Sequence, residues 1–435
     1  MGMSFNLPIL PKDWTYAPLD SLCKQNSVTY GVVQPGSALD HGIPLIRVNN
    51  FRDTHIDLSD VMYIDPTIES KYTRTRLQGG EVLITVVGSV GQVAIVSDKF
   101  IGFNVARAVA VIHPLAHIPS EWIALCLRSP LSKHLLASRA NTTVQTTINL
   151  KDLRALPIPI PPESERMNIS DFIGVVDDCI TTLRESNATL EALAQAIFKS
   201  WFVDFDPVHA KMEGRVPDGM DAATAALFPD SFEESELGLI PKGWHVSNIG
   251  KAFILTMGQS PPGDTYNESG AGLPFYQGRT DFGIRFPTQR MFCTAPNRIA
   301  EAGDTLVSVR APVGDVNMAI EKCCLGRGVA GIRHPLGFGS FVFYSAQALR
   351  IRFKVFDTEG TVFGSINKKD FQELPVVEPD IAIYKAFNNF SSIINDQVVE
   401  NEKEIRTLAT LRDTLLPRLI SGQLRIPESP NELQT

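Results

Sequence analysis

Residues 148–161 read INLKDLRALPIPIP and residues 366–379 read INKKDFQELPVVEP, aligned without a gap at an offset of 218. Each string closes on a Pro-rich stop, and proline lacks the N–H that helix and central strand both require. Beyond each stop the apolar period changes. Ile169, Ile173, Val176, Ile180, Leu183, Leu190, Ala194 and Ile197 follow alternating steps of four and three, with Asn187 as the polar break. Shifted by the same offset they become Phe387, Ser391, Ile394, Val398, Asn401, Leu408, Arg412 and Leu415. Such steps over about four heptads are a coiled-coil seam, so the pattern predicts two long helices that pair with each other. The competing expectation is that each helix only covers the core of its own globule.

Working outward, the second half re-reads the first. LPKDW (10–14) returns as IPKGW (240–244), GIPLIRVNNF (42–51) as GLPFYQGRTDF (272–282), and GGEVLITVVGSVGQVAIV (79–96) as AGDTLVSVRAPVGDVNMAI (302–320). Each copy reads as short β-branched strands, VLITVV (82–87) and TLVSV (305–309), between Gly and Pro turns, which is the pattern of a mixed globule. The expected fold class is α/β (α+β), two globules alternating with two long helices in an internal pseudo-two-fold repeat. The expected segments are globule 1–164, central helix 165–204, acidic connector 205–239, globule 240–380, distal helix 381–422 and tail 423–435.

The 435 residues carry a formal net charge of −8, which argues against a phosphate-rich partner until the charge is located. Residues 166–237 hold 5 Lys+Arg against 14 Asp+Glu, while 1–165 hold 14 and 14 and 238–380 hold 15 and 13. The globules are therefore free to gather arginine on one face, and the acidic stretch is expected to meet protein. No apolar run reaches the roughly 18 residues of a membrane helix, and MGMSFNLPILPKDW has no signal-peptide pattern, so a cytoplasmic location without a membrane partner is expected. Cys23, Cys126, Cys179, Cys293, Cys323 and Cys324 form no CxxC pair, so they are expected to be reduced, packed thiols with no metal.

The strings TLEALAQAIFKSWFVDFDPVHAKMEGR (189–215), LPIPIPPESER (156–166), GLPFYQGRTDFG (272–283) and LRDTLLPRLISGQL (411–424) resemble stretches of the specificity subunits of type I restriction–modification enzymes. The resemblance implies that each globule is a target-recognition domain for one half of a split double-stranded DNA site, and that the helices pack antiparallel and set the spacing. It further implies two modification (methyltransferase) subunits and restriction (motor–nuclease) subunits as partners. Those partners, not this chain, would use S-adenosylmethionine, ATP and Mg.

Catalytic motifs are expected to be absent. Ser260-Pro261-Pro262-Gly263 lacks the aromatic of an adenine methyltransferase motif and reads as a turn. Glu69-Ser70-Lys71 has no upstream Pro-Asp to complete a nuclease site, and there is no GxxxxGK[ST] phosphate loop. Rival readings are a coiled-coil adaptor whose globules bind protein, and a self-contained methyltransferase or nuclease.

Arg, Asn and Gln read base edges, while Lys, Arg and hydroxyls hold phosphates. The candidates in the first globule are Arg47, Asn49, Asn50, Arg52, Arg74, Arg76, Ser89, Gln92, Arg139, Asn141, Thr142, Thr143 and Gln145. Those in the second are Gln277, Arg279, Thr280, Arg310 and Arg327. Trp201, Phe202 and Phe205 beside the acidic stretch are expected to dock partner subunits.

Overall fold

The computed structural model describes residues 7–52, 55–139, 146–358 and 364–426. It divides into two compact units, residues 1–182 with 404–435, and residues 183–403. Helix and strand are mixed in both.

In the first unit, Val82–Thr85 and Val109–Ile112 are buried at every position, as expected for strands covered on both faces. They lie at the centre of an antiparallel sheet ordered Thr29–Tyr30, Val109–Ile112, Val82–Thr85, Val93–Ile95. A second sheet sets Ile43–Ile46 between Met62–Ile64, antiparallel, and Asn104–Val105, parallel. Thr15–Pro18 pairs with Pro157–Ile160.

The second unit repeats this plan. Its four-stranded sheet runs Ile254–Met257, Val329–Arg333, Thr305–Val309, Val313–Met318. Leu273–Tyr276 again has an antiparallel neighbour, Phe292–Cys293, and a parallel one, Cys323–Leu325. His245–Asn248 pairs with Pro375–Glu378.

The two long helices are Glu163–Phe202 and Ile381–Ile420, of 40 residues each, or about 60 Å at 1.5 Å per residue. The sequence reading set them apart as segments of their own; in the structure each is shared. The first unit's core holds Ile169 and Ile173 from the start of the first helix, and Leu416, Leu419 and Ile420 from the end of the second. The second unit's core holds Ala194, Phe198 and Phe202 from the end of the first helix, and Ile383, Phe387 and Ile394 from the start of the second. Each helix therefore begins in the core of its own globule and ends in the core of the other. Neither the pairing nor the self-covering expectation alone described this.

Polar groups fix the register. In the first unit, Asp177 accepts from Arg128 (3.2 Å) and from Arg412 on the other helix (2.8 Å). Burial alone would lower Arg412, but its bonds to Asp177 and Asp413 hold the guanidinium above its ordinary value. In the second unit, Asn401 donates to Asn187 (2.8 Å), while Phe198 packs on Phe387 at 5.7 Å, so the helix segments there run antiparallel. Arg285, from the globule, donates to Glu191 on one helix and to Asn395 (2.6 Å) on the other, with its guanidinium 4.4 Å from the Phe343 ring.

The acidic connector is a folded part of the second unit. Helices Asp206–Met212 and Ala222–Leu227 and the hairpin Phe232–Ser235/Gly238–Pro241 bury Val208, Phe228 and Ile240. Of the six thiols, Cys179 is exposed and the other five are buried. Burial pushes Cys23 up to about 12 and Cys324 up to about 11. The expectation of six packed thiols fails at Cys179, which sits on the outer face of the first long helix. Among the described residues, no helix is long and apolar enough to cross a membrane.

Candidate nucleic-acid interface

In both units the loops at one end of the strands come together. The turn after Ile43–Ile46 and the hairpin loop 86–92 in the first unit line a cleft of about 560 Å³ through Arg47, Asn49, Arg52, Ser89, Gln92, Ala106 and Ala108. Arg47 donates to the Asp60 carbonyl (3.0 Å) and carboxylate (3.1 Å), and Asn49 to the same carboxylate (2.6 Å). Arg52 bonds the carbonyls of Asn49 and Phe51 and lies 3.7 Å from Asp57. A Thr85 hydroxyl inside the hairpin accepts from Gln92 N (3.0 Å) and fixes the loop that presents Ser89 and Gln92.

The second unit builds the same hairpin with Ser308, whose hydroxyl accepts from Asp315 N at 2.9 Å. Asp315 in turn holds two guanidiniums, those of Arg279 and Arg350. Gln277, Thr280 and Arg310 are exposed near them. Arg279 and Asp315 also line a cleft of about 670 Å³ with Phe282, Asn317, Tyr344 and Ile351.

Several expected contacts have other work. Asn50 is 1% exposed; its amide donates to the carbonyls of Asp57 and Asp60 and its oxygen accepts from Arg47 N. It caps the short turn Val48–Asn50, as Asp281 caps Arg279–Asp281 in the second unit, and reads no base. Arg76 is clamped by both oxygens of buried Glu69, whose carboxyl that contact holds below the usual carboxylate range. Glu69 also accepts from Asn104, so both its oxygens are engaged within the chain.

Arg74 is exposed away from the cleft lining, and Arg139 is half-buried just past helix Pro130–Ala137. Asn141, Thr142, Thr143 and Gln145 lie outside the described residues. Ser260 to Gly263 enters the turn Gly263–Thr265, with the Pro261 carbonyl accepting from Tyr266 (2.7 Å).

Phe202 is 8% exposed and packs on Phe341 (5.0 Å), Phe387 (5.1 Å) and Trp244 (6.0 Å). Trp201 stands on Phe228, and Phe205 on Trp244. The expected docking trio is thus core or near-core of the second unit, because an aromatic helix end reads alike in sequence whether it meets a partner or its own chain.

Residues 11–192 match the family model described as type I restriction modification DNA specificity domain. Over nearly its whole length the chain is similar to type I restriction enzyme specificity subunits. It is 28% identical over 427 residues to a putative type I restriction enzyme MjaX specificity subunit of Methanocaldococcus jannaschii, covering 96% of this chain and 95% of that one. It is 31% identical over 200 residues to the EcoBI specificity subunit of Escherichia coli, covering 45% and 42%. The crystal structure of a type I restriction-modification system S subunit from M. genitalium has the same fold, with TM-score 0.51 at 16% identity over 96% of this chain and 98% of that one.

One exposed arginine went unnoticed in the sequence. Arg107 is exposed and lies in sequence between Ala106 and Ala108, which line the cleft. ARAVAVI (106–112) and GRGVAGI (326–332) share Arg, Val, Ala and Ile at an offset of 220, a signal that was legible.

Proposed function

We propose that this specificity subunit reads a bipartite, asymmetric double-stranded DNA site, one half per globule, and holds two modification subunits and the restriction subunits on that site. It acts as a non-catalytic subunit, and S-adenosylmethionine, ATP and Mg serve its partners. The observation that carries this reading is one strand frame used twice with different side chains at its mouth, Arg47 and Asn49 in one copy, Gln277 and Arg279 in the other. A site read by such a pair has two unlike halves. The long helices serve as an antiparallel coiled-coil spacer between the two readers.

The test is methylome sequencing of a host carrying this chain and its modification partner. An interrupted motif with unlike halves supports the reading; a continuous or palindromic motif contradicts it. The purified chain alone transfers no methyl group and cuts no duplex.

A further inference from the structure

Three backbone hydrogen bonds put Arg107 and Arg327 at the same place in the two units. Gly31 N donates to Val109 O (3.3 Å) as Gly258 N does to Val329 O (3.0 Å). Val32 N donates to Val105 O (2.7 Å) as Gln259 N does to Leu325 O (3.0 Å). Ala106 N donates to Ile46 O (2.9 Å) as Gly326 N does to Tyr276 O (2.8 Å). Each arginine thus follows the parallel strand of its unit and stands next to the strand end that leads into the variable reading turn.

The backbone is packed tightly under both turns. A Cβ on Gly31 would lie 1.9 Å from the Val105 carbonyl oxygen, and one on Gly258 2.1 Å from that of Gly326. A Cβ on Gly328 would lie 2.3 Å from the Gln277 carbonyl oxygen. The turn cannot shift without breaking these approaches, so the position of the arginine is set by the frame and not by the loops.

Charge separates these two residues from the arginines of the reading turns. Arg47, Arg52, Arg76 and Arg279 each face a carboxylate. Arg107 and Arg327 are exposed, and neither side chain forms a hydrogen bond or ion pair with any described residue. A guanidinium that displaces no internal acid can meet an anion directly, and phosphate suits its planar fork. The residues beside it differ between the copies, whereas this one does not, so it carries no information that distinguishes the half-sites.

We infer that Arg107 and Arg327 form a matched pair of backbone-phosphate clamps, one per half-site, that orient each reading loop on the duplex without reading sequence. The inference rests on the DNA-reading function proposed above. It divides the labour inside each globule: the frame holds the phosphate and the variable turn reads the base.

The experiment uses the complex with its modification subunits, titrated with cognate and scrambled duplexes from low to high salt. Arg107→Ala and Arg327→Ala each weaken both duplexes by the same factor and make the slope of log affinity against log salt shallower by about 0.9. The double variant doubles the change, Arg→Lys at either position keeps most of the slope, and the methylated motif is unchanged. An altered motif in either variant makes that arginine a base reader and overturns the inference, as do an unchanged affinity and slope. If the unsubstituted complex shows no salt-dependent duplex binding, it is the functional reading that fails.

Discussion

Arg279 is bound to the Asp315 carboxylate in the free chain, and Arg350 holds the other oxygen of the same group at 3.0 Å. Were Arg279 to turn outward to a base, Arg350 would remain on Asp315, so that carboxylate would not be left as an uncompensated charge. That exchange suits a side chain that must move to read. Arg279→Ala is therefore expected to relax one half-site only, at about 1–3 kcal/mol if the contact is bidentate to guanine. The methylated motif of the variant checks it, and equal weakening on every sequence would make Arg279 a phosphate contact instead. Asn50 lay in the same polar string and was expected to do similar work. Composition does not tell a cap from a reader, because both need a short amide on a turn, and only the burial of Asn50 separates them.

The long helices were legible because alternating four and three steps leave few other solutions. Their division between the two cores was not, since Phe198 and Phe202 fit the seam's end as well as a docking surface. Within the second unit the Asn187–Asn401 bond sits where an apolar pair would pack more favourably. Buried polar pairs of this kind trade stability for a fixed register. Substituting both by leucine is expected to raise the melting temperature measured by circular dichroism, while Asn401→Leu alone lowers it by leaving the Asn187 amide oxygen without its donor. A double variant that melts below the unsubstituted chain would show that the asparagines stabilise rather than specify. The strand frame was readable as a repeat, but a one-residue difference between the turns at 47–51 and 277–282 hid which loop residues correspond.

Both units carry a histidine that burial holds below its ordinary value: His113, with Glu81 opposing and Lys24 adding to the shift, and His334, with Glu378 opposing. The His334 ring accepts from Leu336 N at 3.0 Å, which requires the neutral form. The unfolded chain takes up these protons near pH 6.5 and the folded chain only lower, so stability is complete above that pH and is lost as pH falls through the lowered folded values. The melting temperature is expected to drop between pH 7.5 and 5.5, and His334→Gln is expected to drop less; an equal fall for both would clear this residue. At the same scale, a heptad added to each long helix lengthens it by about 10 Å, close to three base pairs of contour. The methylome of that variant is expected to show unchanged half-sites and a longer spacer, and an unchanged spacer in an active enzyme would remove the helices from that role.

The exposed thiol of Cys179 has a practical corollary. A maleimide reacts with thiolate, and the other five sulfurs are enclosed, with burial disfavouring that form at Cys23 and Cys324 among them. The natural chain is thus ready to take a single fluorophore on the first long helix with no engineered cysteine. Its anisotropy would report association with a partner, and quenching on addition of the proposed modification subunit would place that subunit close to Cys179.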